Sequence, residues 1–325
     1  MKSHRHLFWS LRFSPTLLGA GALLLGLVPA LAQDAPKIFY SWSPKPVPMT
    51  EWKAPNKPIW RLNEIMAAHK GKADWVQPIV HDQDYDASYI SLAPGGKTKP
   101  QFWADDRIFW YIASGQVRFH IEGQQPILAS KGWMVQVPYR NVYWMETVGD
   151  EPSVRLEVIR SNRTPLYPAT GPNDPGPAPM AKAKAYVLAS YRTPPDKYDD
   201  VNKPALDFWG DFVKRPPTPG DHPFVADTTN FANVIRGHGV PTPPDSNKGH
   251  FHIDYNEFWV IADGTVDYKM EGMKVYTANV GDVVYAPQGR WHRASWSGNG
   301  MSTRIAINPR PYGMHNFDAE AGAKQ

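Results

Sequence analysis

Four side chains in the second half of the chain, His250, His252, Glu257 and His292, supply the imidazole nitrogens and carboxylate oxygen that hold a transition metal. The stretch from His250 to Gly264 reads HFHIDYNEFWVIADG, and that from Gly281 to His292 reads GDVVYAPQGRWH. Residues two apart on a strand share a face. His250 and His252 therefore aim together at one ion, Glu257 opens the following strand, and His292 brings a third imidazole. Such a set takes a first-row divalent ion and leaves positions open if the ion is six-coordinate. Open positions admit substrate oxygen atoms, dioxygen or water, so redox and redox-neutral reactions are both within reach. Manganese or iron is the expected metal, and copper, nickel, cobalt and zinc are compatible with the same ligands.

The two stretches resemble the paired motifs of the cupin superfamily. In the first motif His-x-His is followed by Glu and then Gly, and here four residues separate His252 from Glu257 and six separate Glu257 from Gly264. The second motif, a spaced Gly, Pro, Gly and His, matches Gly281, Pro287, Gly289 and His292 without a gap. Two positions depart from the pattern: Pro244 replaces the opening Gly, within a lengthened loop from Gly239 to Gly249, and Trp296 stands where Asn is frequent. The resemblance implies a jelly-roll barrel, the four residues as metal ligands, and an activity among dioxygenases, small-acid decarboxylases and oxidases, lyases and isomerases.

Comparison of the chain with itself exposes a repeat. Ile108–Gly115 (IFWYIASG) aligns with Glu257–Gly264 (EFWVIADG), and Gly132–Pro138 aligns with Gly281–Pro287. Upstream, Asn56-Lys57-Pro58 precedes a helix-like run from Trp60 to His69, and Asn202-Lys203-Pro204 precedes one from Leu206 to Lys214. Short alternating segments such as Val117–Ile121, Val154–Ile159, Thr265–Met270 and Thr303–Ile307 read as strands. The expected fold is all-β: two tandem double-stranded β-helix barrels with short flanking helices. Through the repeat, Gln101, Trp103, Ile108 and Tyr143 fall where the four ligands stand, so the first barrel is expected to be metal-free and supportive.

Domain boundaries follow from composition. Lys2, Arg5 and Arg12 precede an apolar run from Thr16 to Val28 and the small-residue stretch Ala30-Leu31-Ala32, the order of a secretory signal over residues 1–32. The remainder divides into a degenerate first domain at 33–163 with a helical prelude, a Pro/Gly-rich linker at 164–185, a metal-binding domain at 186–312 and a flexible tail at 313–325. Periplasmic or secreted localisation is expected, with no membrane span after cleavage. The chain has no cysteine, so export brings no disulfide framework. Of 35 Lys and Arg against 31 Asp and Glu, three basic residues fall in 1–32, leaving 32 against 31, a balance of about +1. No nucleic-acid footprint is present in such a charge.

Strand phase places Trp259 and Ile261 beside Glu257, and Ala294 and Trp296 beside His292, giving an aromatic, mostly apolar surround. That lining suits a small phenolic or other hydrophobic carbonyl compound. Tyr255, Tyr285, His238 and Arg290 lie near the motifs as candidate catalytic groups able to orient a carboxylate or move protons, as does Arg236. The leading expectation is an exported metal-dependent dioxygenase on a small aromatic or enol-type substrate. A non-catalytic ligand-binding protein and a redox-neutral decarboxylase or lyase are the alternatives, and a homodimer is compatible with the aromatic content.

Overall fold

The computed structural model describes residues 41–42, 45, 50–168, 198–213, 220–239, 241–242, 249–309 and 315–317. Residues 1–32, expected to be a secretory signal, most of the linker and the last residues of the tail lie outside them.

Two barrels account for nearly all of the described strands. In the first, a six-stranded sheet runs in the order Ala205–Asp207, Trp133–Val137, Ile108–Ser114, Ser153–Arg160, Tyr85–Leu92, Trp75–His81, opposite a three-stranded sheet of Ile127–Ser130, Gln116–Ile121 and Tyr143–Val148. In the second, the order Gly220–Ala226, Phe231–Gly237, Ser302–Asn308, Glu257–Asp263, Val283–Ala286, Ile59–Trp60 faces a four-stranded sheet of Pro241–Thr242, His292–Ser297, Thr265–Met270 and Tyr276–Asn279. Every pairing within these four sheets is antiparallel, as in a jelly roll.

The repeated strands read as continuous apolar runs because both of their faces are buried. Ile108, Trp110 and Ile112 point into the first barrel, and Trp259 and Ile261 point into the second. The alternate residues, Phe109, Tyr111 and Ala113 with Phe258, Val260 and Ala262, meet in one cluster between the two six-stranded sheets. Each fully buried Phe or Val in that layer contributes about 1.5–3 kcal/mol of burial. The layer is also pinned by hydroxyls: Tyr85 donates to the Asn308 carbonyl at 2.7 Å and Tyr89 to the Gly281 carbonyl at 2.6 Å. Gly264 closes the turn after the ligand strand with φ +63, and a Cβ there would lie 2.3 Å from Ser302 Oγ.

The halves exchange edge strands, which the division at 163/186 did not anticipate. Ile59–Trp60, from the first half, pairs with Val283 and Val284 of the second barrel, and Ala205–Asp207, from the second half, pairs with Trp133–Val135 of the first. The Asn before each strand fixes the crossing. Asn56 exchanges hydrogen bonds with the backbone of His81 at 2.7 and 2.8 Å, and Asn202 does so with Ala226 at 3.0 and 2.9 Å. The prelude expected to be helical from Trp60 is helical over Leu62–Ala68, and it packs on the second barrel through Leu62 N–H and Arg61 to Asp282. Its counterpart, expected over Leu206–Lys214, is a π-helical turn at Phe208–Val213.

Three residues of the expected tail, 315–317, are described. Within the described part of the expected tail, Asn316–Phe317 pairs in parallel with Ser41–Trp42, and Asn316 forms an antiparallel bridge with Phe251, the residue between His250 and His252.

Candidate metal centre

His250, Phe251 and His252 lie in a short extended segment joined to the start of the strand His292–Ser297. His250 N–H donates to the His292 carbonyl at 2.9 Å and His292 N–H to that of His250 at 2.8 Å. This reciprocal pair holds two ligands side by side. Glu257 opens its strand opposite Ala286, on the interior face that also carries Trp259 and Ile261. The turn between Pro287 and Gly289 is tied to the first motif by Gly289 N–H, which donates to the His252 carbonyl at 2.6 Å. All four ligand side chains are buried, with exposures of 2–7%.

One donor atom from each of the four lies within 4.8 Å of the others. His252 Nε2 is 2.9 Å from Glu257 Oε2, and His292 Nε2 is 3.5 Å from the same oxygen and 3.1 Å from His250 Nε2. His292 Nδ1 donates to the Arg290 carbonyl at 3.0 Å, which leaves the Nε2 lone pair facing the cluster. Convergence of imidazole nitrogens and one carboxylate, without apolar filler between them, fits a divalent transition ion. Burial lowers the affinity of His250 for a proton, reinforced by the neighbouring imidazoles of His292, His315 and His252. His292 is lowered for the same primary reason, opposed by Glu257. Burial alone would raise the Glu257 carboxyl, but the adjacent His252 and His292 hold it well below the usual carboxylate range. Two neutral imidazoles and an ionised carboxylate are the protonation states that coordination needs.

Around the donors the interior is aromatic and apolar as expected, with Trp259, Ile261, Ala294 and Trp296 in one cluster and the Trp259 ring 5.1 Å from that of His292. Of the candidate catalytic groups, Tyr255 belongs to the site. It is buried and stacks on His252 with ring centroids 4.3 Å apart. Tyr285 lies on the other face of its strand, in the layer between the barrels, and its hydroxyl donates to Asp82 Oδ2 at 3.0 Å. The reason is phase: Ala286 is the partner of Glu257 and points inward, so its neighbour Tyr285 points outward. Arg290 braces the wall, donating to the carbonyls of Thr50 and Glu271 and stacking 3.5 Å over Trp52. Arg236 pairs with Asp263 at 2.8 Å, and His238 is exposed beyond the end of its strand.

Two residues near the donors were missed from the sequence. Arg304 is buried in the second barrel on the interior face shared with Ile261, its guanidinium 5.7 Å from the Trp259 ring. His315 stands 4.3 Å from His250 and 5.1 Å from His252 between ring centroids. An Arg inside a strand reads as a surface charge unless its phase is compared with the ligand strand, and a His in a tail carries no periodic signal.

The first barrel reproduces the frame with other chemistry. Gln101 and Tyr143 form the same reciprocal backbone pair, at 2.9 and 2.8 Å. Gln101 Nε2 and Trp103 Nε1 then both donate to the Tyr143 hydroxyl, at 2.8 and 3.0 Å.

Residues 241–307 match the family described as a cupin domain. No curated protein matches the sequence. Among solved structures, the chain resembles a cupin 2 conserved barrel domain protein from Leptotrichia buccalis at 12% identity and TM-score 0.53, covering 78% of this chain and 96% of that one. It also resembles a salicylate 1,2-dioxygenase from Pseudaminobacter salicylatoxidans at 12% identity and TM-score 0.54, covering 77% and 83%. At this identity the likeness carries the fold.

Proposed function

We propose that this chain, two cupin barrels in fold with the donors of one metal centre in the second, is a metal-dependent dioxygenase acting on a small aromatic or enol-type substrate. The observation that carries the reading is the buried convergence of His250, His252, Glu257 and His292 within 4.8 Å of one another. These four would hold the ion, manganese or iron by preference, and when bound it supplies Lewis-acid and one-electron chemistry at its open positions.

The remaining roles belong to the chain. Tyr255, stacked on His252, fixes that ring and sets a flat aromatic wall beside the donors. Trp259 forms a second aromatic surface against His292, and the buried barrel excludes bulk water. Arg304 places a positive charge inside the same barrel, which favours a substrate that carries an acidic group. Similarity in fold to a salicylate 1,2-dioxygenase supports the choice of reaction class. Export of the chain through residues 1–32 is part of the proposal, and N-terminal sequencing of protein from a periplasmic fraction checks it.

The test begins with elemental analysis of purified protein. About one manganese or iron per chain is expected, lost in His250→Ala, followed by oxygen consumption with a panel of hydroxylated benzoates and enediols. A metal-loaded protein that consumes no oxygen with any of them, yet forms product anaerobically, would replace the dioxygenase by a redox-neutral lyase or decarboxylase. A compound that co-purifies unchanged would favour a binding protein.

A further inference from the structure

The chain beyond the last strand of the second barrel does not leave the molecule directly. Asn316 is 1% exposed and makes a reciprocal bridge with Phe251, each N–H donating to the other's carbonyl at 3.0 Å, with its side-chain amide also donating to the Phe251 carbonyl at 3.3 Å. Phe251 is the residue between two ligands. In an antiparallel pair, the neighbours of directly opposed residues face each other across the strands and share a face. With Phe251 opposite Asn316, the residue opposite His252 is His315, on the face that His250 and His252 present.

The rings confirm the register. His315 lies 4.3 Å from His250 and 5.1 Å from His252, whereas the ligand rings themselves are separated by 5.1 Å for His250–His252, 4.5 Å for His250–His292 and 5.4 Å for His252–His292. His315 is therefore spaced from two ligands as the ligands are from one another. It remains outside the set whose donor atoms all fall within 4.8 Å, and it is half-buried where the four are buried.

The first barrel supplies an internal comparison. There Phe102 occupies the place of Phe251, and its antiparallel bridge partner is Leu166, each N–H donating to the other's carbonyl at 2.9 Å. The residue matching His315 is Pro165, which has no metal-binding group. The returning segment is thus common to both barrels, and a histidine occurs on it only where the other donors are complete.

We infer that His315 is a further, exchangeable imidazole of the metal centre, delivered by the C-terminal segment to the side of the ion nearest His250 and His252. The inference rests on the metal-centre reading above. It also gives the tail a part in the chemistry, because the position His315 covers is one that an incoming small anion or substrate must contest.

Cobalt(II) serves as the probe, because its visible spectrum reports coordination number and its binding needs no turnover. Wild type is compared with His315→Ala and His315→Gln, with the melting temperature of the metal-free proteins as the folding control. The expected result is one cobalt per chain in all three, an affinity about 10- to 100-fold weaker in both variants, an altered visible spectrum, and tighter binding of azide to the cobalt-loaded variants. Cobalt affinity, spectrum and azide binding identical to wild type would overturn the role of His315 while leaving the four-ligand site standing. Failure of the wild type itself to bind cobalt would overturn both.

Discussion

Gly249 is not a ligand, yet its replacement by alanine should damage the metal centre more than most changes near it. Its φ is +102, a conformation that costs a residue with a Cβ about 1–3 kcal/mol. The added Cβ would lie 2.0 Å from Trp291 Cζ2, 2.2 Å from Cε2 and 2.7 Å from Nε1, and Trp291 is 1% exposed. Relief to an ordinary contact of 3.4 Å needs a shift of roughly 1.4 Å, and forcing it through a packed core costs about 1–3 kcal/mol more. The two colliding residues directly precede His250 and His292, the ligands joined by the reciprocal backbone pair. Separating them by even part of that shift exceeds the tolerance of about 0.2 Å in metal–ligand distance. The expected outcome for Gly249→Ala is a loss of about 2–6 kcal/mol, a melting temperature lower by on the order of 10 °C, and metal affinity weakened by at least about tenfold. Differential scanning fluorimetry and cobalt titration measure both. Gly239→Ala is the control, since φ is +67 there but nothing lies within 4 Å of the added atom, so it should leave metal affinity unchanged. A Gly249→Ala protein that melts within about 2 °C of wild type and binds cobalt equally well refutes the reasoning.

Two further outcomes follow from the same geometry. Tyr143→Phe strands the donors of Gln101 and Trp103, which at about 1–3 kcal/mol for each buried unpaired donor should cost about 2–6 kcal/mol in all; calorimetry should show the loss while metal content stays at the wild-type value, and a fall in metal content would contradict a structural role. The metal-free protein should be acid-labile: His250 and His292 are lowered by burial, so the unfolded chain takes up protons from about pH 6.5 downward while the folded chain resists. The depressed Glu257 acts in the same direction at lower pH. Melting temperatures of metal-stripped protein should be flat above pH 7 and fall between about pH 6.5 and 5, and a rise on acidification would show that these imidazoles are not held neutral.

Legibility of the fold tracked periodicity. The ligand strand and its first-barrel copy were readable because Gly264 and Gly115 frame matching patterns, and the four donors because strand phase and motif spacing agree on them. Phase also predicted Trp259, Ile261, Ala294 and Trp296 correctly, yet Tyr285 was placed by proximity in sequence alone, and the same alternation that brings Ala286 inward sends it to the opposite face. The exchange of Ile59–Trp60 and Ala205–Asp207 leaves no trace in composition, since a two- or three-residue edge strand pairs as well with either barrel. His315 was hidden because the frame breaks between the copies: eight residues run from Val158 to Leu166, and nine from Ile307 to Asn316.

The two barrels differ in more than ligands. Arg155 and Arg304 occupy equivalent interior positions, opposite Ile112 and Ile261. Two residues further on, the first barrel has Glu157 and the second Ala306. Glu157 accepts a hydrogen bond from Trp110 Nε1 at 2.8 Å, and although burial raises its carboxyl, Trp110 and Arg155 oppose that rise. Tyr143, Gln101 and Trp103 close a second polar set above it. The first barrel thus pairs Trp110 with Glu157, and Gln101 and Trp103 with Tyr143, so these interior donors and acceptors meet one another as members of a buried network must if they are not to destabilise the core. In the second barrel the carboxylate of the interior sits instead at Glu257, among imidazoles, where only a cation can satisfy all the converging lone pairs together. The interior carboxylate therefore stands at a different place in each barrel: Glu157 in the first, against Trp110 and Arg155, and Glu257 in the second, among imidazoles, with Ala306 where the first barrel has Glu157.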